Sequence, residues 1–109
     1  EAFNLAQKLN LDWDRLFDVV STSSGSCWSV NTYCPAPGVG PESPADRDYK
    51  PGFAADLMLK DLKLSQDAAT TVSAPTELGK HATEIYENFI SEGGEGMDFS
   101  AILPYLAKK

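Results

Sequence analysis

The segment from Thr32 to Gly52 constrains the fold more than any other part of the chain. It contains five of the seven prolines and three of the eight glycines, and proline interrupts helices and central strands because it lacks a backbone N–H. Loops of this length inside compact domains are uncommon and are either ordered and functional or disordered. Because Tyr33, Val39 and Tyr49 can anchor it, we expect an ordered loop packed on a neighbouring element, with a flexible linker as the alternative.

Helical periodicity precedes this loop. Asp12 is a suitable N-cap, and the residues after it are apolar at the spacing i, i+3, i+4 and i+7, which places them on one helical face. We therefore predict a helix over residues 13–20, and a further short helical turn around Cys27 to Val30. The apolar residues of the first of these helices are Trp13, Leu16, Phe17 and Val20.

Two longer helices and a short one are predicted after the loop. Residues 53–72 contain neither Gly nor Pro and form the longest candidate. Pro75 marks the break, since proline is tolerated in the first turn of the next helix. That helix carries apolar residues on one face and ends at a cluster of glycines. Asp98 is predicted to cap a last short helix, which Pro104 should kink or end. The apolar face consists of Leu78, Ala82, Ile85, Tyr86 and Phe89, and the glycines are Gly93, Gly94 and Gly96.

No segment shows the two-residue alternation of a strand. We therefore expect an all-α fold, a single helical-bundle domain of about five helices over residues 1–109 with one long Pro/Gly-rich loop. A hydrophobic content of 42% in 109 residues is enough for one core and too little for two.

Charge and cysteine content make several classes of partner unlikely. The formal net charge of -7, with no basic run, disfavours nucleic acid. Cys27 and Cys34 are not spaced as a CxxC pair, and His81 is the single histidine, so we expect no metal site and a reduced, intracellular protein. No apolar run reaches the roughly 20 residues of a membrane span.

The helix predicted from residue 53 combines an apolar face with two charges. At about 100° per residue, Asp61 falls inside the apolar arc and Lys60 lies at its edge. This face could border a polar cleft, with Lys60 reaching an anionic ligand. Alternatively, Lys60 extends to water while Asp61 caps a neighbouring helix end. The arc consists of Phe53, Ala54, Leu57, Leu64, Ala68 and Val72.

Several motifs resemble the β-hydroxyacid dehydrogenase family. Residues 60–67, KDLKLSQD, resemble its KDLxLAxD motif, with Ser65 in place of the usual Ala. Three further segments resemble the 3-hydroxyisobutyrate dehydrogenase branch: residues 23–28 (SSGSCW), residues 32–39 (TYCPAPGV), and Gly52 with Phe53. Members of that branch commonly have Val at the position of Ala36. With the final DFS of residues 98–100, the resemblance covers essentially the whole chain.

The resemblance implies a C-terminal helical domain of the 6-phosphogluconate dehydrogenase-like type. Lys60 would approach the nicotinamide end of the cofactor, Phe53 would wall the substrate pocket, and Asp61 and Asp67 would support the site. In this family the general acid/base lysine and its asparagine lie on the long interdomain helix, in a motif that no residue here matches. The dinucleotide fingerprint GxGxxG is also absent.

The beginning of the chain fits this interpretation. A helical apolar pattern is already running at Glu1 with no capping residue before it. We therefore expect an N-terminal Rossmann domain upstream of Glu1, absent from this chain, and we expect the chain alone to be inactive. A complete small protein whose leader has been removed is the alternative.

The resemblance also implies an activity. The intact enzyme would use NAD to oxidise 3-hydroxyisobutyrate to methylmalonate semialdehyde in valine catabolism, as a homodimer or homotetramer in the bacterial cytoplasm or the mitochondrial matrix. Two alternatives are a related reductase, such as one acting on tartronate semialdehyde, and a non-catalytic helical module that binds a protein partner.

The remaining candidate residues have simpler interpretations. His81 is expected to be a surface or packing residue, and Trp13 and Trp28 are expected to be core or interface anchors. Both cysteines lack activating neighbours and are expected to be inert. The charges at positions 46–48 are expected to be a solvated group of little consequence for stability.

Overall fold

A computed structural model describes residues 1–109 and shows a chain built from helices. It confirms the all-α expectation, because the only extended pairing is an isolated antiparallel bridge between Ala54 and Asp98. None of the helices combines the length and the apolar character needed to cross a membrane. The six α-helices are α1 (Ala2–Lys8), α2 (Trp13–Ser21), α3 (Trp28–Asn31), α4 (Ala55–Thr71), α5 (Glu77–Phe89) and α6 (Ile102–Ala107). Shorter turns are the 3-10 helices Pro44–Arg47 and Phe99–Ala101 and the π-turn Ile90–Gly94.

Contacts within the chain group it into two compact units. The first comprises Glu1–Lys50 together with Ser100–Lys109, and the second comprises Pro51–Phe99. The long loop therefore belongs to the first unit, whereas α4 and α5, with the residues of the KDLKLSQD motif, belong to the second.

The first unit is organised around α1 and α2. As predicted, Asp12 caps α2, and its Oδ1 accepts hydrogen bonds from the backbone N–H of Asp14 (2.8 Å) and Arg15 (3.4 Å). Trp13 contributes to the packing, and its Nε1 donates to the carbonyl of Phe3 at 2.8 Å. The buried cluster consists of Phe3, Cys34, Ala36, Val39 and Leu103, against which Trp13, Leu16 and Phe17 pack.

The long loop is ordered, as expected, and Asp46 holds it together. One carboxylate oxygen of Asp46 accepts from the N–H of Gly38 (2.6 Å) and the other from the N–H of Ser43 (2.8 Å). The buried Ser43 hydroxyl donates to the carbonyl of Cys34 at 2.8 Å. Asp46 is exposed, as expected of a solvated charge, but its carboxylate also links the Gly38 and Ser43 backbone, a role that the sequence did not indicate.

Two prolines affect the helices differently from the prediction. Pro104 neither ends nor visibly interrupts the last helix but is the third residue of α6, where a backbone N–H has no intrahelical acceptor in any case. Pro75 precedes the N-cap Thr76 instead of lying in the first turn of α5. Proline fixes its own φ and disfavours a helical conformation of the residue before it, and both effects are compatible with a helix that begins at Glu77.

Candidate functional site

The face of α4 on which the sequence places its apolar arc is exposed, and the helix begins at Ala55 and not at the predicted residue 53. Ala55 and Ala69 are the buried residues of α4, whereas Leu57, Leu64 and Val72 are 44%, 58% and 73% exposed. Helix α4 carries apolar residues around most of its circumference, so periodicity alone could not decide which side packs on α5. We call the exposed side the outer face of α4, and it consists of Leu57, Lys60, Asp61, Leu64 and Ala68, with the C-cap Val72 at its end.

Lys60 is exposed on this outer face and has no hydrogen-bond or ion-pair partner. Its neighbours one helical turn away are Leu57 and Leu64 on the outer face and the charged residues Asp56 and Lys63 on the other side. By contrast, the nearby Lys63 forms an ion pair with Glu87, with 2.9 Å between Nζ and Oε1. Lys60 is therefore a cation without an ion-pair partner at the edge of an exposed apolar strip, an arrangement suited to an anionic or amide-bearing ligand.

The two carboxylates of the motif are also exposed. Asp61 is exposed on the outer face and its carboxylate accepts no hydrogen bond, so it does not cap a neighbouring helix end. Asp67 lies almost two helical turns after Lys60, about 10 Å along the axis, which is too far for a direct ion pair. Its carbonyl accepts a hydrogen bond from the Thr71 hydroxyl at 2.9 Å. Neither carboxylate neutralises Lys60 in this structure.

Phe53, the predicted pocket residue, lies just before α4 and is held at both its backbone and its ring. Its N–H donates to Oδ1 of Asp98 at 3.1 Å, and its carbonyl accepts from the N–H of Phe99 at 2.9 Å. The two phenyl rings pack edge to face, with centroids 5.9 Å apart and an interplanar angle of 69°. The position of Phe53 is therefore set by residues 45 or more positions away in sequence.

Asp98 is the functional candidate that sequence reasoning missed. Its side chain is fully buried, and the same Oδ1 also accepts from the N–H of Gly52 at 3.0 Å. The Tyr86 hydroxyl donates to the Phe99 carbonyl at 2.9 Å, and burial, followed by the nearby Asp98 carboxylate, raises the pKa of Tyr86. The sequence offered one signal, an Asp beside the aromatic Phe99, which indicated a helix cap and not a contact with Phe53.

The other candidate residues do not assemble a second reactive cluster. No group of three or more His, Cys, Asp or Glu side chains could hold a metal ion. His81 is exposed, with Nδ1 3.4 Å from Glu84. Trp28 is 60% exposed and stacks on Tyr33 at 5.0 Å, so it is not the core anchor that was one of its two expected roles. Cys34 is buried, and burial raises the pKa of its thiol, which makes it a poor nucleophile.

Comparison with known proteins identifies relatives of the chain. A probable 3-hydroxyisobutyrate dehydrogenase of Mycobacterium tuberculosis is 48% identical over 103 residues, which are 94% of this chain and 35% of the relative. The mitochondrial 3-hydroxyisobutyrate dehydrogenase of Homo sapiens is 41% identical over 109 residues, which are 100% of this chain and 32% of the relative.

A solved structure shares the fold. This structure, of Mycobacterium tuberculosis 3-hydroxyisobutyrate dehydrogenase with L-serine, matches with a TM-score of 0.90 and 48% identity, over 96% of this chain and 36% of the other. The chain thus spans about a third of the length of these relatives.

The family model covers nearly all of the chain. Its description is NAD-binding of NADP-dependent 3-hydroxyisobutyrate dehydrogenase, and it matches residues 1–106. This match and the relatives above agree with the resemblance of the KDLKLSQD, SSGSCW and TYCPAPGV segments. The chain therefore belongs to the family of NAD-binding domains of NADP-dependent 3-hydroxyisobutyrate dehydrogenase.

Proposed function

We propose that this chain is the C-terminal helical domain of an NAD-dependent 3-hydroxyisobutyrate dehydrogenase, and that the outer face of α4 borders the nicotinamide and substrate. The observation that carries the proposal is the unpaired Lys60 on an exposed apolar helix face, within a motif typical of the family. An exposed apolar face of this kind usually marks a surface that another part of the protein or a ligand covers.

The side chains of this chain could form one edge of a dinucleotide site, but they could not hold the pyrophosphate. The chain has no GxGxxG segment to hold a pyrophosphate, whereas Lys60 offers a free ammonium group and Leu57 and Leu64 offer apolar surface. A bound NAD would supply the acceptor for a hydride from the alcohol carbon of the substrate. Lys60 would hold the nicotinamide end of the cofactor in place and balance negative charge nearby. Its apolar neighbours would exclude water, which strengthens such interactions.

Phe53 would supply a wall of the substrate pocket. Its ring is half-buried and fixed against Phe99, so it presents a rigid apolar surface and does not need to be ordered when substrate binds. Asp61 and Asp67 would support the site from the same helix, by hydrogen bonding to groups that the rest of the enzyme brings to α4. We propose that the general acid/base lysine and its asparagine lie upstream of Glu1, on an interdomain helix that follows a Rossmann domain.

The substrate class is supported by L-serine, the compound named with the solved mycobacterial relative. L-serine and 3-hydroxyisobutyrate both carry a primary alcohol on the carbon next to the one that bears the carboxylate, and they differ in having an ammonium or a methyl group on that middle carbon. A site that accepts this skeleton would oxidise 3-hydroxyisobutyrate to methylmalonate semialdehyde, a step of valine catabolism. The names of the mycobacterial and human relatives favour this substrate over tartronate semialdehyde.

The remaining properties are proposed from the relatives. We place the enzyme in the bacterial cytoplasm, with the mitochondrial matrix as the alternative, because relatives of both kinds match. We propose a homodimer or homotetramer. The family description names both NAD and NADP, and the proposed preference for NAD would be set by the upstream domain.

The test compares two lysines of α4 in the full-length dehydrogenase. Lys60→Ala should lower kcat/KM for 3-hydroxyisobutyrate by about tenfold to a hundredfold, the usual effect of losing a charge-assisted contact. It should also weaken NADH binding, measured by the fluorescence of the bound nucleotide. Lys63→Ala removes an equal charge from the same helix but loses only an exposed ion pair, so it should change either value less than about twofold.

Two outcomes would contradict the proposal at different levels. Equal effects of the two substitutions would remove Lys60 from the site. A full-length enzyme that oxidises other short 3-hydroxyacids but not 3-hydroxyisobutyrate would retain the dehydrogenase assignment and overturn the substrate.

A further inference from the structure

We propose that Asp98 is a positioning residue for this dehydrogenase, which fixes Phe53 and the first turn of α4 and thereby places the pocket wall and Lys60. The inference rests on the proposed function. It assigns a role to a fully buried carboxylate that lies outside the family motif at residues 60–67.

The first step of the argument is the geometry of the carboxylate. One oxygen of Asp98 accepts two hydrogen bonds, from the consecutive N–H groups of Gly52 (3.0 Å) and Phe53 (3.1 Å). These two residues belong to no helix. Charge-assisted bonds of this type are roughly twice as strong as neutral ones, so the carboxylate is an effective anchor for a segment without regular structure.

The second step is the continuation of this anchor into α4. The N–H of Ala55, the first residue of α4, donates to the Met97 carbonyl at 2.8 Å, and the N–H of Phe99 donates to the Phe53 carbonyl at 2.9 Å. Residues 97–99 thus form a short antiparallel pair with residues 53–55, with Asp98 at its centre. The start of α4 is held on the same residues that hold Phe53.

The third step connects this pairing to Lys60. Lys60 lies five residues into the helix, about 7.5 Å along its axis from Ala55. Because a helix moves as a rigid element, a displacement of its first turn displaces Lys60 by a similar amount. Misplacement of a catalytic-site group by about 1 Å can cost about a hundredfold in rate. Loss of Asp98 should therefore affect turnover as well as stability.

A second support holds the far side of the pairing. Tyr86, on α5, donates its hydroxyl hydrogen to the Phe99 carbonyl at 2.9 Å, and the Phe99 ring packs on the Phe53 ring. The pairing is therefore fixed both by the carboxylate of Asp98 and by Tyr86 of α5. The side-chain carboxylate of Asp98 itself holds the N–H groups of Gly52 and Phe53.

The experiment uses graded variants in the full-length dehydrogenase. Asp98→Ala removes the acceptor and should lower kcat/KM for 3-hydroxyisobutyrate by about tenfold to a hundredfold. Asp98→Asn keeps an uncharged acceptor oxygen and should lower it by only about twofold to fivefold. Amide hydrogen exchange at Gly52 and Phe53 should accelerate in the same order. These amides report on the anchor independently of activity.

Ser43→Ala is the matched structural control. It also deletes a buried polar group, which donates to the Cys34 carbonyl, but it lies in the long loop and has no link to α4. It should lower the midpoint of thermal unfolding without changing kcat/KM. A double variant of Asp98→Ala and Phe53→Ala should lose less than the product of the two single effects, because Asp98 acts partly through Phe53.

Three results would overturn the positioning role. The first is an unchanged kcat/KM in Asp98→Ala. The second is a loss of kcat/KM in Asp98→Ala no greater than that in Ser43→Ala when both variants are equally destabilised. The third applies if Asp98→Ala does not fold, and it is unchanged turnover and unchanged amide exchange in Asp98→Asn. In each case wild-type activity would leave the proposed function standing. A wild-type enzyme without dehydrogenase activity would overturn both.

Discussion

Gly40 shows how single atoms constrain the long loop. Its φ of +69° is a conformation that residues with a side chain rarely adopt. In addition, a Cβ at this position would lie 2.7 Å from two ring carbons of Phe17. Phe17 packs against the buried cluster of the first unit and cannot move without disturbing it. Gly40 therefore allows the loop backbone to lie directly on an aromatic ring.

We expect Gly40→Ala to destabilise the protein by about 2–4 kcal/mol, the sum of an unfavourable φ and an overpacked ring. Gly38→Ala is the control, because Gly38 has a similar φ of +72° but no atom within 4 Å of the added Cβ. It should cost about 1 kcal/mol from the backbone alone. Urea unfolding of both variants measures the difference, and equal losses would show that the Phe17 ring moves aside freely.

The sequence predicted the packing of a helix well where the helix has one apolar face and poorly where it has several. Helix α2 has a single apolar face and an Asp cap, and its observed start and end lie within one residue of the prediction. Helix α4 was predicted with nearly the right length, but its periodicity did not show which side is buried. Leu57 and Leu64 on one side and Ala55 and Ala69 on the other satisfy the same periodicity.

The candidate site stays a prediction, and the sequence could nominate residues for it only where they lie in one continuous segment. Lys60, Asp61 and Asp67 came from a single motif, because residues at fixed spacing on one helix keep a fixed arrangement. The contact of Asp98 with Phe53 could not be predicted, since it joins residues 45 positions apart through backbone N–H groups. Backbone donors carry no residue-specific signal, so the sequence shows only the carboxylate and not its partners.

The long loop, treated as an element, should unfold more easily in acid because of Asp46. Hydrogen bonds from the Gly38 and Ser43 N–H groups lower the pKa of Asp46 below its usual value. A lowered folded-state pKa contributes stability that is fully present above the unfolded pKa of about 4 and is lost as the pH falls through the folded value. The loop should therefore lose this contribution below about pH 4.

The measurement is the free energy of unfolding of wild type and Asp46→Ala between pH 7 and pH 2. We expect the wild type to be more stable at pH 7 and the difference to shrink steadily below about pH 4. Asp48→Ala is the control on the same turn, because Asp48 is exposed and makes no hydrogen bond through its side chain. A difference that stays constant with pH would show that the carboxylate contributes no charge-dependent stability.

At the scale of the whole molecule, the outer face of α4 relates this domain to the proposed enzyme. Leu57 and Leu64 expose about half of their side chains, although α4 is the longest helix and packs closely on α5 by its other side. The known relatives are about three times as long as this chain. In the proposed dehydrogenase, the upstream domain and the bound cofactor would cover this face and enclose Lys60 between apolar surfaces.

This arrangement predicts different solvent protection for two leucines that are both exposed here. Leu64, on the outer face, is 58% exposed, and Leu78, on α5, is 89% exposed, a difference of less than a factor of two. If the outer face faces the cofactor, hydroxyl-radical oxidation of Leu64 in the full-length dehydrogenase should be several-fold slower than that of Leu78, and saturating NADH should slow it further. Burial removes a side chain from the solvent in which the radical is generated, whereas ordinary surface exposure does not. If the two leucines instead reacted in proportion to the exposure seen here, with or without NADH, the outer face would lie away from the cofactor and Lys60 could not act there.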